Sequence, residues 1–267
     1  MEKLNGKRVL LTGAAGGIGS AVARRLSGVG ARVLLADLDT PALGAIAAET
    51  GQTSVPCDLA QGTGRQAVVD SVNTAFGALD GLVYCAGINA FGLHDTQSDE
   101  LVERIMQINL LAPIQLTRHL IPLLEKGSNP VIVNLGSVFG HIGFPGFSLY
   151  SASKFGLRGY TETLRRELAD GPIRVAWISP RATSTAMNAG VIDAVNAELK
   201  VNYDSPERVA EAVVQTLARP SRDRVLGFPE KLFARINQLF PGIVDGSLAR
   251  QLPVIRRHSS IHKESNT

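Results

Sequence analysis

Arg8-Val9-Leu10-Leu11-Thr12 runs into Gly13-Ala14-Ala15-Gly16-Gly17-Ile18-Gly19, and Ser20-Ala21-Val22-Ala23-Arg24-Arg25-Leu26 follows at once. The first run is apolar between its ends, as in a strand buried on both faces, and the last is a good helix sequence. The glycines between them mark a tight strand-to-helix turn. Such a turn lets the main chain approach a pyrophosphate, whose charge is met by amide N–H groups at the helix N-terminus. A turn that binds nothing would use the same residue type, so the surroundings must separate the two readings.

Working outward, similar runs recur with room for a helix between them: Arg32–Ala36, Gly81–Cys85, Pro130–Asn134, Ile173–Ile178 and Arg224–Gly227, with a weaker one at Thr53–Cys57. Most are apolar throughout rather than alternating, which points to a parallel sheet covered on both sides. Thr40-Pro41 and Ser205-Pro206 read as helix starts, Gly51 and Gly171 as stops. The expected fold is therefore a single-domain α/β Rossmann fold, a doubly wound parallel sheet of about seven strands with helices on both faces. A length of 267 residues would accommodate one such domain or two small ones, but no linker, repeat or composition shift divides the series.

Residues 1–228 form the expected dinucleotide-binding and catalytic unit, and residues 229–267 a C-terminal amphipathic helical extension with a basic tail. Leu232, Phe233, Ile236, Leu239 and Phe240 make an apolar stripe on one helix, which Pro241-Gly242 ends and Ile243–Leu248 resumes. Packing, as a subunit contact or a cover over the pocket, is the favoured reading of the stripe. Peripheral membrane contact, helped by Arg235, Arg250, Arg256 and Arg257, is the other. The residues from Arg256 onward are expected to fray.

Twenty-seven Lys and Arg against 24 Asp and Glu leave a formal charge of +3, and no long run of like charge precedes the last dozen residues, so nucleic acid is not an expected partner. Cys57 and Cys85 are too few for a disulfide framework or a zinc site, and His94 and His119 show no ligand spacing, so no metal is expected. The start has no secretory pattern, and no run approaches the length needed to span a bilayer. A cytoplasmic protein is expected, membrane-peripheral if its tail engages lipid.

Two features favour a ligand in the glycine turn. Asp37 ends the second strand 18 residues beyond Gly19, where a carboxylate can accept hydrogen bonds from an adenosine ribose. It would repel a ribose phosphate, so NAD is favoured over NADP. Tyr150-Ser-Ala-Ser-Lys154 opens a helix that reads to about Ala169, and its i,i+4 pair shares one face. An ammonium one turn away is expected to lower the phenol's pKa and suit it to exchange a proton with a carbinol or carbonyl oxygen.

These residues resemble the short-chain dehydrogenase/reductase family from Lys7 to about Gly227. Thr12-Gly13-x-x-x-Gly17-x-Gly19 has that family's cofactor-loop spacing, and Ser137, Tyr150, Lys154 and Asn109 match its catalytic serine, tyrosine, lysine and asparagine in order. The resemblance implies that Ser137 binds the substrate oxygen, Tyr150 acts as general acid or base, Lys154 binds the nicotinamide ribose and supports the phenolate, and Asn109 holds a relay water. It further implies cofactor contacts at Gly13, Gly17, Ile18 and Gly19, at Asp37, at Asp58 and Leu59 after the third strand, at Ala86 and Gly87 after the fourth, at Tyr150 and Lys154, and at Pro180. A homodimer or homotetramer is implied as well.

The departures are Cys85, where the family has asparagine and where a structural role is expected, and Arg181 in place of glycine. Arg181 would either crowd the nicotinamide side or face an acidic or thioester substrate. The family's threonine matches Thr183 or Thr185. Phe139, His141, Phe144 and Phe147 are expected to line the pocket, and Thr183–Tyr203, with Met187, Val191, Ile192 and Val201, takes the lid position. The expected activity is hydride transfer between NAD and a hydrophobic secondary alcohol or ketone. The rivals are a 3-oxoacyl-thioester ketoreductase and a non-catalytic NAD-binding scaffold or sensor.

Overall fold

In the computed structural model, which describes residues 2–265, the expected strands assemble into one seven-stranded sheet of order β3-β2-β1-β4-β5-β6-β7, parallel throughout. The strands are β1 (Arg8–Thr12), β2 (Arg32–Asp37), β3 (Thr53–Pro56), β4 (Gly81–Tyr84), β5 (Val131–Leu135), β6 (Arg174–Ser179) and β7 (Asp223–Val225). The strand order reverses between β1 and β4. A crevice for a ligand opens at such a point, beyond the carboxyl ends of the strands.

Both faces of the sheet are covered because the apolar runs present alternate residues to opposite sides. Val9, Leu11, Val33 and Leu35 pack against α1 (Gly17–Gly28), α2 (Pro41–Thr50) and α8 (Pro206–Ala218). Leu10, Leu34, Leu82 and Ile132 meet α3 (Gly62–Phe76), α5 (Ala112–Glu125) and α6 (Ser148–Glu167). Thr40 caps α2 by accepting from Leu43 N with Pro41 in the first turn, Ser205 does the same for α8 through Arg208 N, and Gly51 ends α2 at φ +64°. α6 stops at Glu167, before the predicted Gly171.

Between α4 (Asp99–Met106) and α5 the helix widens into a π turn over Gln107–Leu111, which centres on Asn109. Such bulges cluster at functional sites. α7 (Val191–Glu198) lies in the lid.

The C-terminal segment forms α9 (Glu230–Leu239), α10 (Pro241–Ala249) and α11 (Leu252–Ser265). Pro241 opens α10 as well as ending α9. The fraying expected from Arg256 is not observed as far as Ser265: Ile255 is buried against Phe91 and Phe147, and Arg257 and His258 both pair with Glu198. Thr267, the end of the predicted frayed segment, lies outside the described residues. No helix of the described residues is long and apolar enough to cross a membrane.

Candidate active site

The glycine turn is a cradle that side chains would fill. A Cβ at Gly13 (φ +67°) would lie 2.5 Å from Ala86 N, one at Gly17 2.7 Å from Thr185 Cγ2, and one at Gly19 1.9 Å from the Gly13 carbonyl oxygen. The open ridge of main chain thus left at the N-terminus of α1 suits a pyrophosphate. Thr12 ties the turn to the strand beside it, its Oγ1 accepting from Ala86 N at 3.4 Å while Cys85 N donates to its carbonyl oxygen. Asp37 sits across the loop and accepts from Ala15 N and Leu38 N, both at 2.8 Å. These bonds aim a carboxylate, with no lysine or arginine of the described residues bonded to it, at the end of β2.

Next to this cradle lies a cavity of about 700 Å³. Gly13, Gly17, Ile18, Gly19 and Gly87 line it on one side, and Ser137, Tyr150, Lys154 and Pro180 on the other. Ser137 is held at the tip of β5 because Gly136 N donates to Ile178 O at 2.7 Å and Val138 N to Pro180 O at 3.0 Å. Beneath it the buried Trp177 ring leaves no room for a side chain at Gly136, whose Cβ would fall 1.9 Å from Trp177 Cζ2. Lys154 Nζ donates to Leu135 O at 3.1 Å and lies 5.6 Å from the Tyr150 ring centroid.

Asn109 stands behind this group. Its Oδ1 accepts from Ile88 N at 2.8 Å, and its Nδ2 donates to Ile88 O at 2.9 Å and Ser153 Oγ at 3.1 Å. Ser153 Oγ in turn donates to Tyr150 O, so one chain of bonds joins the π turn, the segment after β4 and the first turn of α6. Both amide hydrogens are thereby engaged, which fixes the Asn109 side chain. Asp37, Asp58 and Leu59, at the ends of β2 and β3, lie outside the cavity, as does Ala86 after β4. Asp58 closes its own turn by accepting from Ala60 N at 2.9 Å.

Burial governs the ionisation of the pair. It pushes the Tyr150 phenol up to about 12, against an opposing hydrogen bond from Ser137, and the Lys154 ammonium down to about 8. This corrects the expectation that the lysine lowers the phenol. Nζ faces a backbone carbonyl and sits over the Tyr150 ring, so within the chain itself desolvation prevails. Cys85 lines the cavity with its thiol raised to about 12 by burial, which keeps it protonated.

His141 does not line the pocket, contrary to expectation. It is buried beside Trp177 and Ser179, its Nε2 2.8 Å from Ser179 Oγ, and burial holds it down at about 4. Phe139, Phe144 and Phe147 do line the cavity, as do Met187, Ile192 and Val201 of the lid, but not Val191. Of the two candidate threonines, Thr185 stands against Gly17, while Thr183 is buried and donates to Arg181 O. The extension covers the pocket, one of the two packing roles its apolar stripe suggests. The fold brings Phe233, Ile236, Ile243, Val244 and Leu248 into the cavity wall.

Arg181 is at the wall too, and its charge is already matched. Nε meets Asp204 Oδ1 at 3.1 Å and a terminal nitrogen lies 3.7 Å from Glu230 Oε1, so it joins the lid to α9. Asp204, fully buried, also takes Arg208 at 2.9 Å. Replacing Arg181 with Met leaves Glu230 without this cation and Asp204 with one. The expected loss is about 1–3 kcal/mol in urea unfolding, partly recovered by adding Glu230→Gln.

A crossover sheet with a glycine cradle at its switch point and a Ser-Tyr-Lys cluster facing it defines an oxidoreductase of the NAD(P)-binding Rossmann class. Residues 7–196 match the family model described as short chain dehydrogenase, and the chain belongs to that family. A Mycobacterium tuberculosis protein designated SadH is 31% identical over 95% of this chain and 99% of its own. A short chain dehydrogenase from Burkholderia cenocepacia, solved in complex with NADP, has a TM-score of 0.77 at 30% identity, covering 86% of this chain and 99% of that one. A 3-ketoacyl-(acyl-carrier-protein) reductase from Brucella melitensis, solved with NADH, has a TM-score of 0.78 at 27% identity, covering 85% and 99%.

Proposed function

We propose that this protein interconverts a hydrophobic secondary alcohol and its ketone, with NAD as the favoured cofactor. One observation carries the reading: Ser137, Tyr150 and Lys154 converge on a single apolar-walled cavity that begins at the glycine cradle. In this reading Gly13, Gly17, Ile18 and Gly19 receive the pyrophosphate, Asp37 the adenosine ribose, and Asp58 and Leu59 the adenine side. Ala86, Gly87, Lys154 and Pro180 hold the nicotinamide half. A bound nicotinamide supplies or accepts the hydride.

The chain's own groups orient the substrate and move the proton. The Ser137 hydroxyl donates to the substrate oxygen, and Tyr150 Oη gives that oxygen a proton in reduction and takes it in oxidation. Lys154, buried and lowered toward neutrality, passes the proton on from the tyrosine side. Asn109 keeps Ile88, Ser153 and hence Tyr150 in place. Phe139, Phe144, Phe147 and Ile192 favour an apolar substrate body and exclude water from the transfer.

Assembly as a homodimer or homotetramer is part of the same proposal, because the helices around Asn109 and Tyr150 present the faces that pair in such enzymes. The 3-oxoacyl-thioester ketoreductase reading is supported by likeness to proteins described as ketoacyl reductases, the Brucella melitensis reductase among them.

A panel of fatty, steroid and polyol alcohols, followed by absorbance at the reduced-nicotinamide band with NAD and NADP in parallel, tests the reading. The expected result is turnover of an apolar secondary alcohol with NAD preferred by about 10- to 100-fold, the effect of placing a phosphate dianion near Asp37 in a partly solvated site. Asp37→Ser is expected to remove most of that preference. A clear preference for NADPH in the unaltered protein, with reduction of 3-oxoacyl thioesters, would favour the rival.

A further inference from the structure

The apolar stripe of α9 is divided. Ala234 is buried and Ile236 faces the cavity, but Leu232 and Leu239, on the i, i+4, i+7 row with Ile236, are 47% and 72% exposed. Phe228, Phe240 and Ile243 are 76%, 60% and 67% exposed. Surface helices ordinarily turn such side chains inward, and a concentration of them marks an interaction surface. The other exposed large hydrophobics among the described residues, Leu38, Leu111, Phe155 and Met187, are dispersed along the chain, and Met187 belongs to the lid beside the same cavity.

Two observations identify what covers this face. Phe233 and Ile243 are both exposed and part of the cavity wall, so the wall reaches the surface inside the patch. The charges around it are basic: Lys231 and Arg235 are exposed one turn apart on α9, and Arg250 is exposed just beyond α10. Against them stand Asp245 and Glu230, and Glu230 is already paired with Arg181. A second copy of the chain would bring equivalent residues face to face near a two-fold axis and set these cations against each other. An anionic bilayer places opposite charge beside them and takes the apolar side chains out of water.

We propose that residues 228–243 dock on the surface of an anionic lipid bilayer. Leu232, Leu239, Phe240 and Phe228 enter the headgroup–acyl boundary, Lys231 and Arg235 lie at headgroup level, and the cavity opens toward the membrane. No described helix can cross a bilayer, so the contact is interfacial. A lipid-soluble alcohol or ketone then reaches Tyr150 without passing through water. Only this last step rests on the hydride-transfer reading.

The test is co-sedimentation of the full chain with vesicles of phosphatidylcholine and phosphatidylglycerol in a two-to-one ratio, and with phosphatidylcholine alone. Binding needs no turnover, so its failure leaves the enzymatic reading untouched. Pelleting is expected with the anionic vesicles and about tenfold less with the neutral ones. Leu239→Ser with Phe240→Ser is expected to reduce pelleting about tenfold while turnover of a water-soluble alcohol is unchanged, which shows the fold intact. Lys231→Glu with Arg235→Glu is expected to abolish the preference for anionic vesicles. The proposal is overturned if the unaltered protein pellets with neither vesicle, or if the serine variant pellets as well as the unaltered protein. It is equally overturned if light scattering shows a dimer that the serine substitutions dissociate and vesicles do not bind.

Discussion

Replacing Tyr150 with phenylalanine is expected to lower kcat by about 10²–10⁴-fold, the range for loss of a positioned acid–base group, with cofactor binding nearly unchanged. The ring stays packed against Phe139, their centroids 6.3 Å apart, so the cavity keeps its shape and only the hydroxyl is lost. The pH profile supplies a second readout. Burial raises the phenol to about 12 and lowers Lys154 to about 8, so the first proton to leave the pair on raising the pH comes from the lysine side. Below about 8 the pair is fully protonated and cannot accept the alcohol's proton; above it there is a vacancy. Oxidation kcat/KM should therefore rise with pH through about 8 and reduction should fall across the same range. Lys154→Met removes that limb in both directions. Steady-state rates from pH 6 to 10, with and without these substitutions, check the assignment, and a Tyr150→Phe enzyme turning over at the unaltered rate would sink it.

Gly19→Ala is the second large effect. The added Cβ would lie 1.9 Å from the Gly13 carbonyl oxygen and 2.9 Å from Ala14 Cα, both backbone atoms of the same turn. No rotamer can relieve that contact, so the turn itself must open. A displacement of about 1 Å at a binding ridge costs about 10²-fold in function, and overpacking a tight site about 1–3 kcal/mol in stability. Calorimetric titration with NAD and urea unfolding measure the two separately. Gly28→Ala is the control: its Cβ meets nothing within 4 Å, and binding should be unaffected.

Much of the fold was legible because both of its periodicities are local. The β-branched and leucine runs announce strands whose two faces are covered, and Thr40-Pro41 and Ser205-Pro206 cap the helices they were read to cap. The glycine turn and the Tyr150–Lys154 pair were equally legible, since the spacing within a turn or a helix carries their relation along the chain, whereas Ser137 on another element is pointed to only by the family resemblance. The position of His141 is not legible in sequence because its neighbourhood along the chain, beside Phe139 and Phe144, differs from its neighbourhood in space, beside Trp177 and Ser179. The ionisation of Tyr150 escapes the sequence for a similar reason: an i,i+4 lysine is visible there, but the desolvation that raises the phenol depends on what the fold closes over the pair.

Arg181 shows where the boundary falls. By sequence it was an arginine in a glycine's place, free to crowd a cofactor or meet an anion. In the fold Asp204 and Glu230, 23 and 49 residues away in the chain, neutralise it and turn it into the joint between lid and extension. The extension followed the same rule: its apolar stripe could be counted from Leu232 to Phe240, but which edge closes the cavity and which stays open to its surroundings depends on how α9 and α10 settle over Val138 and Ile142. The sequence by itself determined the strand series, the cradle and the i,i+4 placement of Tyr150 and Lys154, because backbone propensity and short-range spacing are written in consecutive residues. Only the tertiary structure decided their protonation, the partner of Arg181 and the composition of the cavity wall, because burial and charge pairing arise from segments far apart in sequence.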